Sequence, residues 1–266
     1  MPLVQLSRLR SQLNALEAHF GNPEVFLDSL ISLFQVYENK TATTNIWPRK
    51  NAQSSTYNVP NSVMAELESR LEVLARLNPQ AAQINADKLW AIPYYEPKKA
   101  AIALISNLTD LYNNEFLQRI QKWLSAGLEV SLIKALVAAV ETRKDLLQDK
   151  QWLDFIKKWL DSRELQDIKL GLQLLNRTLT HGYHNLPMIF SILTPLINKP
   201  PFAIQKDLMN VIQELIVLSE AETASFLIMS GKLFPESENL KFLRKCILLF
   251  DPFFQNEIRE AFSNSN

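Results

Sequence analysis

The sequence predicts an all-α chain, a solenoid of stacked antiparallel helix pairs. Apolar residues recur at helical spacings nearly throughout, and prolines punctuate the pattern where helices would begin. Paired alternating runs around Asn-Gly or Asp-Gly turns, the signature of strands, are absent.

Taken in order, Leu6, Leu9, Leu13, Leu16 and Phe20 predict a helix over 3–20, and a second over 24–38 completes an N-terminal pair. Residues 39–60 are polar and rich in Pro, Asn, Ser and Thr, so they form the one long connector, a kind of segment that is often functional. Val63, Leu67, Leu71 and Leu74 set a helix over 61–77, followed by 80–92. Pro97 opens 97–109, because a proline at the first helical position gives up no hydrogen bond and presets φ. Phe116, Ile120 and Trp123 carry 114–126, and helices follow over 129–142, 147–160, 164–180 and 186–198. Pro201 opens 201–219 on Ile204, Leu208, Val211, Ile212 and Leu215; then come 221–231, 237–249 after Pro235, and 253–263 after Pro252. Short connectors make successive helices antiparallel neighbours. The organisation expected is a single helical-repeat domain over 1–266, with the pair 1–38, the loop 39–60 and the stack 61–266.

Composition narrows the function classes. Of 266 residues, 47% are hydrophobic and 21% charged, enough apolar mass for a large core. Lys plus Arg and Asp plus Glu are both 28, so there is no global field to attract nucleic acid or an anionic membrane, and such a partner needs a local patch. The five glycines, at 21, 127, 171, 182 and 231, are scattered, which excludes a P-loop or a dinucleotide fingerprint. No apolar run reaches the ~20 residues of a membrane span, and the N-terminus has no signal-like core. The lone Cys246 lies in an apolar run and reads as a buried thiol in a reducing cytoplasm, where the sequons at Asn39, Asn107 and Asn176 are chance.

Trp90, Trp123 and Trp159 each end a helix and stand 33 and 36 residues apart, near the ~40-residue period of HEAT-type pairs. The segment Tyr57, Asn58, Val59, Pro60, then a helix, then Leu89, Trp90, Glu96 and the alanines 100 and 101, resembles the DNA alkylation-repair proteins of the AlkD-like HEAT-repeat family. There a Tyr-Gly-Val-Pro-like turn precedes a Leu-Trp element, a glutamate and an Ala-rich helix. The resemblance continues through Trp123, Trp159 and the helix at Ala203, Ile204, Gln205 and Lys206, over about residues 55–250.

What the resemblance implies is a solenoid that wraps duplex DNA on its concave surface and, in active members, excises cationic alkylated purines without flipping them. Active members use a Trp and an Asp four residues apart on one helix and a second Trp on a later one. By order and spacing these positions fall near Val130, Lys134 and Asn210. A carboxylate stabilises the developing sugar cation, which an ammonium at Lys134 repels. Neither Val130 nor Asn210 offers the aromatic face that attracts a cationic base. The expectation is a non-catalytic or differently catalytic member that binds DNA without glycosylase activity, and no catalytic residue is assigned.

Other candidates are weighed on their surroundings. His181 and His184 have a metal-like spacing, but Gly182 marks a helix C-cap there and no further ligand is grouped with them, so no metal and no cofactor is expected. His19 is read as partly buried beside Phe20. The pairs Arg143 with Lys144 and Lys157 with Lys158 are interleaved with acids and read as solvated faces. Lys98, Lys99, Lys122 and Lys134 are positioned by helix geometry to reach phosphates. Tyr94 or Tyr95 is expected to face a groove, and Arg49 and Lys50 beside Trp47 form a basic, aromatic cluster in the long loop. The partner expected is double-stranded or branched DNA; the alternative is a protein held on the same face, as solenoids hold ligands.

Overall fold

The computed structural model describes residues 5–39, 55–124, 128–147, 149–183, 185–234 and 237–263. Among them are fifteen α-helices and no β-strand, so the expected all-α class holds. The chain separates into two compact units, Met1–Arg143 and Lys144–Asn266.

The first unit holds α1 (Leu6–Ala18), α2 (Pro23–Val36), α3 (Asn61–Leu77), α4 (Pro79–Trp90), α5 (Tyr95–Ser106), α6 (Asn113–Trp123) and α7 (Val130–Glu141). Each helix is amphipathic at helical spacing: Val63, Leu67 and Leu71 of α3 are fully buried, as are Leu132 and Leu136 of α7. Odd helices stack on odd ones, with α1, α3, α5 and α7 in one layer, while α2 packs on α4. The link from α4 to α6 is polar and aromatic. Arg119 of α6 forks onto Asp87 at 3.1 and 2.8 Å and reaches Gln83 at 3.1 Å, and Trp90 stacks on Trp123 at 4.4 Å and 7°.

The second unit holds α8 (Lys144–Leu147), α9 (Lys150–Leu160), α10 (Leu165–Thr180), α11 (Leu186–Asn198), α12 (Gln205–Leu218), α13 (Glu220–Leu233), α14 (Ser237–Ile247) and α15 (Pro252–Ser263). Here α9, α11, α13 and α15 form one layer and α10, α12 and α14 the other. Gly171 lets α10 approach α9 closely, since a Cβ there would meet Leu160 Cδ2 at 2.8 Å and Trp159 Cβ at 3.0 Å. Trp152 is the largest fully buried side chain, and its Nε1–H donates to Thr178 Oγ1 at 2.9 Å.

The differences from expectation have local causes. The helix expected at 97 begins at Tyr95, with Pro97 in the first turn, where its missing N–H is no loss. A single helical turn, α8, precedes α9. His19 is exposed, and Phe20 turns inward alone to meet Phe26 edge-on at 5.2 Å. Arg143 is buried rather than solvated: it donates to Leu108 O at 2.6 Å, Ile105 O at 3.3 Å and Asn113 Oδ1, and lies 4.2 Å from the Phe116 ring, closing the end of α5 and the start of α6. Gly182 has φ 86°, the left-handed cap expected after α10. Burial pushes the Cys246 thiol up to about 12, so the buried-thiol reading stands. No helix among the described residues is long and apolar enough to cross a membrane.

Candidate nucleic-acid interface

Two neighbouring surface cavities of the second unit share one wall. The first, of about 380 Å³, is lined by Phe202, Gln205, Lys206, Met209, Asn210, Gln213, Lys245 and Leu249. The other, of about 470 Å³, is lined by Lys199, Pro200, Pro201, Lys241 and the same Phe202, Gln205 and Lys245. Both fall in the size range of ligand sites, about 300–1,000 Å³.

The sequence builds this groove simply. On α12 the buried line Leu208, Val211, Ile212 and Leu215 leaves Lys206, Asn210 and Gln213 on the opposite, exposed line. On α14 the burial of Phe242, Leu243 and Cys246 leaves Lys241 and Lys245 exposed four residues apart. Pro200 and Pro201 fix the approach to the short turn Phe202–Ile204 that opens α12. Four lysines therefore line the groove, and among the described residues no carboxylate does. In a chain of zero formal charge, this is a local positive patch.

Of the positions that the family resemblance singled out, Asn210 lies in this groove beside Lys206. Val130 and Lys134 belong to the first unit, one turn apart on the exposed line of α7, and Val130 is 65% exposed. Lys122 is exposed near the end of α6. Lys99 is engaged with Glu68 at 2.7 Å, and Lys98 sits 5.5 Å from the Trp90 ring. Tyr94 and Tyr95 are both half-buried, with Tyr94 stacked on Tyr57 at 4.4 Å and Tyr95 donating its N–H to Ser55 O at 2.9 Å. Lys157 pairs with Asp161. Arg49, Lys50, Trp47 and His184 lie outside the described residues.

Sequence reasoning missed Lys199, Phe202, Lys241 and Lys245. The available signal was Lys241 and Lys245 on one helical line, together with lysines on either side of an exposed Pro-Pro-Phe corner.

The turn that carries the resemblance is organised by Glu96, which is 2% exposed. Its carboxylate accepts from Thr56 Oγ1 at 2.7 Å, Tyr57 N–H at 3.0 Å and Val59 N–H at 3.3 Å, so α5 grips the end of the long connector. Asn58 takes φ 54° in that turn, a left-handed conformation that glycine adopts without strain. Tyr57 lies between Phe34 and Tyr94, and burial first, then the charges of Tyr94, Glu96 and Glu38, raise its phenol.

No curated protein matches the chain. The sequence does match the family described as DNA alkylation repair enzyme over residues 37–237, well over half its length and taking in the Glu96 turn and α12, while Lys241 and Lys245 lie beyond the matched stretch. An all-α chain that reproduces this family's pattern across both units, and carries a DNA-repair-related function on that account, belongs to the DNA alkylation repair enzyme family.

Proposed function

We propose that this protein binds duplex DNA by its phosphate backbone along the exposed side of α12 and α14, without excising bases. The observation that carries the reading is the groove of Lys199, Lys206, Lys241 and Lys245, lined by no carboxylate among the described residues and centred on α12 of a DNA alkylation repair family member. Lysine ammonium groups on helical lines supply sequence-independent phosphate contacts. Lys122 and Lys134, exposed on the first unit, are separate candidates for phosphate contact, and branched DNA is a substrate of the same chemistry.

The absence of base excision rests on residue chemistry. Cleaving the glycosidic bond of a cationic purine calls for a carboxylate near the sugar and an aromatic face on the base. Val130, Lys134 and Asn210 supply neither.

Fluorescence anisotropy with a short duplex is expected to give a Kd on the order of micromolar near physiological salt, as sequence-independent contacts do. Incubation with methylated DNA is expected to release no 3-methyladenine or 7-methylguanine above background. Base release would overturn the non-catalytic part, and absence of DNA binding even at low salt would favour a protein partner instead.

A further inference from the structure

We infer that the corner of the groove around Phe202 is a seat for an unpaired nucleotide, so that the protein prefers DNA with a gap or overhang to an intact duplex. This rests on the DNA-binding reading above and specifies the substrate class of the same site.

Phe202 is 85% exposed, although a large aromatic at a helix start would ordinarily turn into the core. Its support is rigid. Pro200 and Pro201 fix the backbone before it, and Gln205 Nε2 donates back to Pro200 O at 3.2 Å. Gln205 Oε1 in turn accepts from Lys245 Nζ at 3.0 Å, which holds that ammonium 5.9 Å from the Phe202 ring. The ring thus stands between the two cavities and lines both.

The cavities differ in the chemistry they offer. The one along α12 combines apolar Met209 and Leu249 with the amides of Asn210 and Gln213, a lining suited to a flat base with hydrogen-bonding edges. Its neighbour presents Lys199 and Lys241 at the start of α12, where the positive end of the helix dipole adds to the two ammonium groups and suits a phosphate. An exposed ring between a base-like and a phosphate-like basin is the arrangement by which single strands are held, stacking on an aromatic while cations track the backbone. A base stacked inside an intact duplex cannot use the ring. One freed by a gap or overhang can.

The test compares anisotropy titrations of the full chain with an intact duplex, a duplex carrying a short gap, and one carrying a single-stranded overhang. The parent is expected to bind gapped and overhang DNA more tightly than intact duplex by roughly 5- to 150-fold, the range that one stacked base supplies. Phe202→Ala is expected to abolish that difference, and Phe202→Trp to restore it. The ring is exposed, so its replacement leaves the core untouched, and circular dichroism of each variant checks the fold. A 5-iodouracil placed in the gap should photo-crosslink at Phe202. Equal affinity of the parent for all three DNAs, or a preference that survives Phe202→Ala, would overturn the inference while leaving duplex binding intact. Failure to bind any of the three at low salt would overturn both.

Discussion

Replacing Glu96 should loosen the turn Thr56–Val59 by an amount that the geometry sets. Two of the carboxylate's three donors are backbone N–H groups of the buried residues Tyr57 and Val59, at 3.0 and 3.3 Å, and the third is the Thr56 hydroxyl at 2.7 Å. Glu96→Ala leaves both amides without an acceptor, and each buried unpaired group costs about 1–3 kcal/mol. The loss of an acidic group from the first turn of α5 adds about 0.3–1 kcal/mol. The expected destabilisation is therefore about 2–7 kcal/mol, a large share of the ~5–15 kcal/mol of an ordinary domain. Glu96→Gln keeps one oxygen for Thr56 and Val59 but turns an amide NH₂ toward the Tyr57 N–H, so its effect should be about half as large. Urea denaturation measures the stability, and native-state hydrogen exchange reports the Tyr57 and Val59 amides directly. Both variants within about 0.5 kcal/mol of the parent, the ordinary scatter of a surface substitution, with both amides still protected, would refute the reasoning.

Further outcomes follow from particular residues. Gly171→Ala should destabilise the second unit by up to about 2 kcal/mol in a thermal melt, because overpacking against Leu160 and Trp159 outweighs the ~1 kcal/mol gain in helix propensity. Asn58→Val should cost about 1–2 kcal/mol while Asn58→Gly is tolerated, since only the former is strained at φ 54°; urea midpoints of the two decide it. Cys246 should resist a thiol reagent in the native protein at pH 8 and react once unfolded. Its thiol is raised from an ordinary ~8.5 to about 12, so the fold's preference for the neutral form is fully present below pH 8.5. That preference is lost as pH rises toward 12, by up to about 1.4 kcal/mol per pH unit, and a pH series of urea midpoints for the parent and Cys246→Ser checks it.

Much of the fold was legible in the sequence, because burial repeats at helical spacing. Leu67 and Leu71, or Leu208, Val211, Ile212 and Leu215, announce both a helix and its inner face. Helix ends were legible where proline or glycine chemistry is local, as at Pro252, which opens α15, and Gly182, which caps α10. What was not legible depends on contacts between distant segments. Arg143 reads as a surface cation beside Lys144, yet the end of α5 and the start of α6, 27 to 38 residues upstream, offer it two carbonyls and an aromatic face. Glu96 was visible as part of a pattern, but its partners lie 37 to 40 residues away.

The candidate site divides in the same way. Asn210 and Lys206 could be placed by family order, whereas Lys241 and Lys245 join them only because α14 packs beside α12. Lys98 and Lys99 looked available in sequence, and their engagement by Trp90 and Glu68 becomes visible only when α3, α4 and α5 are packed.

The salt dependence of duplex binding by the parent and by Lys206→Ala/Lys241→Ala/Lys245→Ala tests the central claim most directly. Each phosphate contact contributes about 0.9 to the slope of log affinity against log salt, so the triple variant should flatten that slope by up to about 2.7 and weaken binding at low salt. Lys157→Ala/Lys158→Ala, on a helix away from the groove, should leave the slope within about 0.5 of the parent, less than one contact's worth. An unchanged slope in the triple variant would contradict the account, since DNA would then be held elsewhere on the chain.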